Sequence, residues 1–425
     1  MWIRRASAAP FLGLLLAAAG LACLPRSADA HSHSHVFTVS GVAVDVTAET
    51  AAAAREAAHA EGHVKAMEKL LARFLPRAEL GLLQQLNPAE ILAYVQDFSV
   101  ANERTSDVRY LAELTFRFRP EPIRELLRAN GLQHAETMSK PVVVLPIFGI
   151  EGEAVLWGEA NPWWAAWAAR PPGGWLVPLT VPLGDLGDLT AVDAARALNG
   201  EAEALGAIAR RYDAEDVLIT QAVLLGDPLL GQATLQVGTV RLGRFAQQTT
   251  IDNYAQPVDG TAQDLLALAA DAVGATVQEA WKQRNLLRPG SQRRIAVTVP
   301  VTQLAELIEV KRRLVEVAAV RGSKITALSR SKVEMAITFV GADAQLVLAM
   351  AQSDLDLVLN PGIGWELRLA GGGAPPRPMP VAAPAPEPTP AAGPAVPTGA
   401  PTTGAPTTGA LTTGVTNAPS IPAAE

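Results

Sequence analysis

Cysteine is almost missing from this chain: the one cysteine among 425 residues, Cys23, falls within the first thirty positions. If those positions are removed, no thiol nucleophile, zinc thiolate set or disulfide remains. Histidine is scarce too, at six residues, and three of them crowd into His31-Ser-His33-Ser-His35. A basic excess is also lacking. Lys and Arg number 35 against 42 Asp and Glu, a formal charge of −7, and without residues 1–30 the balance is 32 to 41. That acidic balance argues against a nucleic-acid partner, which needs a basic face first. No Gly-x-Gly-x-x-Gly or phosphate-loop run occurs, and no Gly-x-Ser-x-Gly elbow. The sequence therefore calls for no cofactor and offers no catalytic residue.

Long apolar runs are limited to one, from Ala8 to Leu24, preceded by Arg4 and Arg5 and followed by Ala28-Asp29-Ala30. A basic region, a short apolar stretch and a small-x-small site have the form of an export signal. The run falls short of the roughly 20 apolar residues of a membrane helix. Cleavage after Ala30 would start the mature chain at His31, leave no transmembrane span and place the protein in the periplasm. Gly20-Leu-Ala-Cys23 supplies a rival, because it resembles the box at which bacterial lipoproteins are cleaved and lipidated, although Gly20 stands where an aliphatic residue is usual. A lipid anchor at Cys23 is the minority reading.

At 425 residues, with 49% apolar content, the chain is long enough for two or three cores. Three globular pieces are expected, α+β in class with mostly antiparallel sheets. The first, Val36 to Gly131, has a strand at Val36–Val46 and a helix at Ala51–Leu75 with Ala57, Ala60, Val64, Met67, Leu71 and Phe74 on one face. A helical connection, two strands near Gln96–Arg104 and Asp107–Arg119, and a short helix after Pro120 complete it. The second, Pro141 to Leu287, opens with the buried-type strand Val142–Ile147. It continues with helices at Ala191–Leu198 and Glu201–Tyr212 and strands at Asp216–Leu224, Ala233–Leu242 and Arg244–Asn253. A long helix closes it, opened by the capping-box pattern Thr261-x-x-Asp264. The third, Arg293 to Ala370, reads β-α-β-β-α-β, the ferredoxin-like plan, with Leu304, Leu307, Ile308, Leu314 and Val315 expected to face inward. From about Gly371 to Glu425 the chain is a Pro/Ala/Thr/Gly tail with too little apolar bulk to offset the entropy of ordering.

Three constellations merit a functional reading beside a structural one. With His31 as the first residue, the amino group, two amides and the His33 imidazole form a square-planar set for Cu(II) or Ni(II), to which His31 and His35 can add. The same residues serve equally as a polar fringe. His59 and His63 stand four apart on a helix, with Glu56 nearby, a spacing open to zinc. The string is not the metalloprotease motif, and a border position against the apolar stripe is the ordinary outcome. Trp157, Trp163, Trp164 and Trp167, followed by Trp175, place five of the eight tryptophans within nineteen residues. Such rings stack on a sugar or peptide, anchor an interface, or fill a core. Core suits most of them, with Trp164 expected at the surface. Asp185 and Asp188 lack the ligand series of a calcium loop; Thr190-x-x-Asp193 reads as a helix start.

The run Pro141-Val-Val-Val-Leu-Pro146, Leu156-Trp157, Asn161-Pro-Trp-Trp-x-x-Trp167 and Ala209-x-x-Tyr212-x-Ala214-x-x-Val217-Leu218 resembles a family of exported proteobacterial proteins defined by a domain of unknown function. The resemblance covers about Val36 to Ala370 and implies no catalytic residue. The second piece is also similar in plan to small α/β domains of periplasmic envelope-assembly proteins, which implies an interaction protein. The expectation is a non-enzymatic periplasmic protein binding an envelope protein through its tryptophan-rich second piece. The alternative is a metal-dependent enzyme, or a Cu, Ni or Zn binder using the His-rich start. N-terminal sequencing of the exported protein should read His31; a blocked chain beginning at Cys23 would instead establish the lipid anchor.

Overall fold

The computed structural model describes residues 36–370, except 84–87, 151–152, 172, 245–248, 258–259 and 288–291. The segment read as an export signal, His31, His33 and His35, and the residues from Gly371 onward lie outside the described residues. Among the described residues, ten helices and three sheets of three, six and five strands form a mixed α+β fold, with most strand pairs antiparallel. All the described residues fall in one compact unit, and no described helix is long and apolar enough to cross a membrane.

The first sheet comprises β1 (Thr38–Thr47), β2 (Val95–Thr105) and β3 (Arg109–Phe118) in the order β1-β3-β2. Strand β3 alternates as a half-buried strand should: Tyr110, Ala112, Leu114, Phe116 and Phe118 point inward, and Arg109, Glu113 and Arg117 outward. Helix α1 (Ala51–Phe74) packs on the inner face, α2 (Pro88–Ile91) packs against α1, and α3 (Pro120–Ala129) sends Ile123 and Leu127 into the same core. Of the stripe expected on α1, Met67, Leu71 and Phe74 are buried and Val64 is half-buried, but Ala57 and Ala60 are exposed. The buried ridge over the first turns is instead Ala54, Ala58, Gly62, Ala66 and Leu70. Small residues at four-residue spacing bring helix and sheet close together. A Cβ on Gly62 would sit 2.5 Å from Leu114 Cδ1.

The second sheet contains β4 (Val142–Ile150), β5 (Glu153–Val155), β6 (Leu179–Thr180), β7 (Asp216–Leu225), β8 (Thr234–Gly243) and β9 (Thr250–Ala255), in the order β5-β4-β7-β8-β9 with β6 beside β4. β4 runs parallel to β6 and β7. Val142, Val144 and Phe148 of β4 enter a core shared with the first sheet, α1, α4 (Pro162–Ala168) and α8 (Ala262–Arg284). Val143, Leu145 and Ile147 enter a separate core under α6 (Ala194–Leu198) and α7 (Ala202–Arg211), beside α5 (Leu186–Ala191). The first two pieces thus share one hydrophobic core. The stripe expected on α8, Leu266, Ala269, Ala270, Val273, Val277 and Trp281, is buried throughout. Its capping box is formed, with Asp264 N donating to Thr261 Oγ1 at 3.2 Å and Thr261 N to Asp264 Oδ2 at 2.7 Å.

The third sheet comprises β10 (Gln292–Pro300), β11 (Val320–Leu328), β12 (Lys332–Val340), β13 (Leu355–Asn360) and β14 (Gly364–Leu369), ordered β11-β12-β10-β14-β13. Helices α9 (Leu304–Glu316) and α10 (Asp343–Gln352) supply the crossovers. The plan read from the sequence gains a strand: α10 stops at Gln352, and β13 forms the edge before β14 returns parallel to β10. Only Asp354, at φ 53°, and its neighbours separate α10 from β13, so no Gly or Pro announces the break. On α9, Leu307, Val310 and Leu314 face inward, whereas Leu304, Ile308 and Val315 are exposed. The helix is apolar around more than one face, and the wheel alone cannot choose between them.

Polar contacts tie the pieces together. Lys140 Nζ donates to Glu215 Oε1 at 2.6 Å and to Asp354 Oδ1 at 2.5 Å, and its backbone N–H reaches Gln352 Oε1 at 2.6 Å. Lys282 Nζ, on α8, donates to Leu75 O at 2.6 Å and Ala72 O at 3.1 Å, capping the last turn of α1 with a cation. Gly62→Val should cost about 1–3 kcal/mol in denaturant unfolding through overpacking against Leu114, and Thr261→Ala about 1 kcal/mol through the lost cap.

Candidate partner-binding surface

Asn161 organises the tryptophan-rich segment. Its Oδ1 accepts from Trp164 N at 2.9 Å, capping α4, and its Nδ2 faces Pro146 O, Leu156 O and Val155 O at 2.7, 2.8 and 3.0 Å. Buried in this way, one amide fixes the helix start to both β4 and the turn after β5. Trp163 and Trp167, four apart, go into the core edge to face with ring centroids 5.8 Å apart. Trp163 Nε1 donates to Thr220 O at 3.1 Å. Among the described residues Trp167 Nε1 has no acceptor, and the Arg170 guanidinium lies over its ring at 5.0 Å. These two rings are inaccessible to a partner. Trp157 and Trp164 are half-buried, and Trp175 is the more exposed ring.

Both half-buried indoles point their N–H at one strap, residues 182–192. Trp164 Nε1 donates to Pro182 O at 3.1 Å, and Trp157 Nε1 to Val192 O at 2.8 Å. Between those anchors the strap reads Leu183-Gly-Asp-Leu186-Gly-Asp-Leu189, and its burial is inverted. Asp188 is fully buried, while Leu183 is 77% and Leu186 80% exposed and Leu189 is exposed too. The buried carboxylate is fully engaged: Oδ1 accepts from Arg211 Nε at 2.7 Å, and Oδ2 from Tyr212 Oη at 2.7 Å and Gly184 N at 2.9 Å. Tyr212 Oη in turn accepts from Leu183 N at 2.9 Å. Asp185 caps α5 through the Asp188 N–H and also pairs with Arg211. That N–H and then the guanidinium hold its carboxyl below the usual range. Loop and cap chemistry occupies both aspartates. Asp185 caps α5 and Asp193 caps α6, so Thr190 lies inside α5 and does not open a helix.

The histidine pair is also placed. His63 is buried with Nδ1 2.6 Å from His59 O, and its ring meets Phe98 and Phe116 edge-on. His59 sits at the border, against Phe98 and Tyr110. Burial and then the Arg55 charge lower its pKa. Among the described residues no group of three His, Asp or Glu side chains is arranged to hold a metal. His134, in the segment between α3 and β4, is buried: Nε2 lies 2.8 Å from Oε1 of fully buried Glu136, which Arg124 grips through Nε at 3.0 Å and Nη2 at 2.7 Å. Burial alone would raise the Glu136 pKa. The hydrogen bonds from His134 and Arg124 outweigh it and hold the carboxyl far below its ordinary value.

Sequence reasoning missed the strap leucines and the Glu136 cluster. The doubled Gly-Asp-Leu of the strap was the available signal for the first; nothing local announces the second, whose partners come from α3 and the following loop. No protein-family model, curated protein or solved structure matches the chain.

A carboxyl whose folded pKa is depressed stabilises the fold above its unfolded pKa, and that contribution is lost as pH falls toward the folded value. Stability should therefore decline below about pH 4.5. Glu136→Gln should lower stability near neutrality by about 3–5 kcal/mol and flatten that acid limb, as read by urea midpoints across pH.

Proposed function

We propose that this is a non-enzymatic, exported envelope protein that binds another envelope protein through the strap over its tryptophan-rich segment. The observation carrying the reading is the inverted strap, in which three hydrogen-bonded partners hold Asp188 inside and three leucines outside. Isolated exposed leucines are ordinary. Three on one fixed segment are not what burial alone selects, and rigid presentation lowers the entropy cost of association. The leader with its Ala28-Asp29-Ala30 site supports export, and the resemblance to exported proteins points the same way. The half-buried faces of Trp157 and Trp164 back the strap and supply the flat apolar area that interfaces favour.

In-cell crosslinking with mass spectrometry should recover an envelope protein crosslinked near residues 183–189. A Leu183→Asp/Leu186→Asp variant should keep the wild-type melting temperature, because both side chains are exposed, and lose that crosslink. An unchanged crosslink profile in the variant would overturn the assignment.

A further inference from the structure

Strand β11 ends the third sheet, and among the described residues nothing pairs with its outer edge. Its face assignments follow from register. Ile325 is opposite Met335 and Leu328 opposite Val333, both buried under the helices, so these two side chains lie on the helix side. They are nevertheless exposed, Leu328 at 70%, so the helix layer stops short of the edge strand. Helix α9, which packs beside β11, adds the exposed Leu304, Ile308 and Val315. Lys324 is opposite Ala336 and therefore projects from the other, open face.

Charge selects among occupants. Between Glu316 and Glu334 the chain carries Arg321, Lys324, Arg330 and Lys332 and no acidic residue, within a protein of net charge −7; Glu334, on the face of Lys324, pairs with Lys332 at 3.0 Å. Lys324 and Arg330, with Lys311 on α9, are exposed and make no ion pair among the described residues. An unpaired edge, an apolar shelf on one face and the exposed Lys324 on the other match an added strand of alternating character. We propose that the outer edge of β11 receives an extended segment of a partner protein in which apolar side chains alternate with acidic ones. The apolar set lies beside Ile325, with Leu328 beyond the paired stretch, and the acidic set faces Lys324. The register shift between Ile325 and Ala327 limits regular pairing to the stretch before it, Gly322 to Ile325.

The test uses the full chain and a fluorescein-labelled heptapeptide, Asp-Val-Asp-Ile-Asp-Val-Asp, beside the same peptide with lysine for aspartate. The acidic peptide should bind by fluorescence anisotropy and slow amide exchange at Gly322–Ile325. Lys324→Glu should weaken it by about tenfold or more and gain affinity for the lysine peptide, while Ile325→Asp should weaken both. The Leu183→Asp/Leu186→Asp variant should bind as wild type does, which separates this edge from the strap. Equal binding of both peptides, no binding of either, binding without slowed β11 exchange, or binding only to phosphatidylglycerol vesicles would overturn the proposal.

Discussion

Strand β4 is the constraint on which the remaining architecture rests. Its run of Val142, Val143, Val144 and Leu145 has no polar face, so both sides must be covered. Alternate residues feed two cores. One lies beneath α8, α4 and the first sheet, and the other beneath α6 and α7. A strand with a solvated face would leave one of those layers without a floor. The parallel partner β7 follows from this demand, since the chain between β4 and β7 must cross over, and the helices of that crossover form one of the covers.

Where backbone direction changes around this wall, single polar side chains set the geometry. Asn161 fastens α4 to the end of β4, Lys140 joins the chain before β4 to Glu215 and to Asp354 in the third piece, and Lys282 closes the end of α1. Each of these groups is largely withdrawn from water. Their hydrogen bonds are directional, so they specify which surfaces meet; the apolar clusters supply most of the free energy but tolerate several arrangements.

The elements that could be read from the sequence are those whose pattern had one solution. The α8 stripe was legible because large apolar residues recur at helical spacing against polar ones, and its cap was written as Thr261 and Asp264. The first turns of α1 were not, because alanines line several faces and only the approach of Leu114 to Gly62 selects the ridge. On α9, leucine, isoleucine and valine occupy both the inner and outer faces, and the sheet decides between them. β13 was hidden because its alternation begins directly after α10. For the candidate surface, the tryptophan cluster was conspicuous, and most of its rings are core or half-buried. The strap beside it was the informative part, yet its meaning depends on Arg211 and Tyr212, more than twenty residues further along.

The strap and the β11 edge are two departures from the same rule. Elsewhere in the described fold, most large apolar side chains enter a core and most charges stay outside or pair, although Leu229, Ile251 and Ile363 are exposed too. In the strap, Asp188 is held inside by hydrogen bonds that leave its neighbouring leucines exposed; at β11, cations and apolar residues stand together on an edge that pairing would normally close. A fold selected for stability alone could bury the leucines by exchanging them with the aspartates, or cover the edge by extending the helix layer. Neither change requires a new topology. Local rules tend to fail at functional or strained sites, and that is the ground on which both faces are proposed for binding.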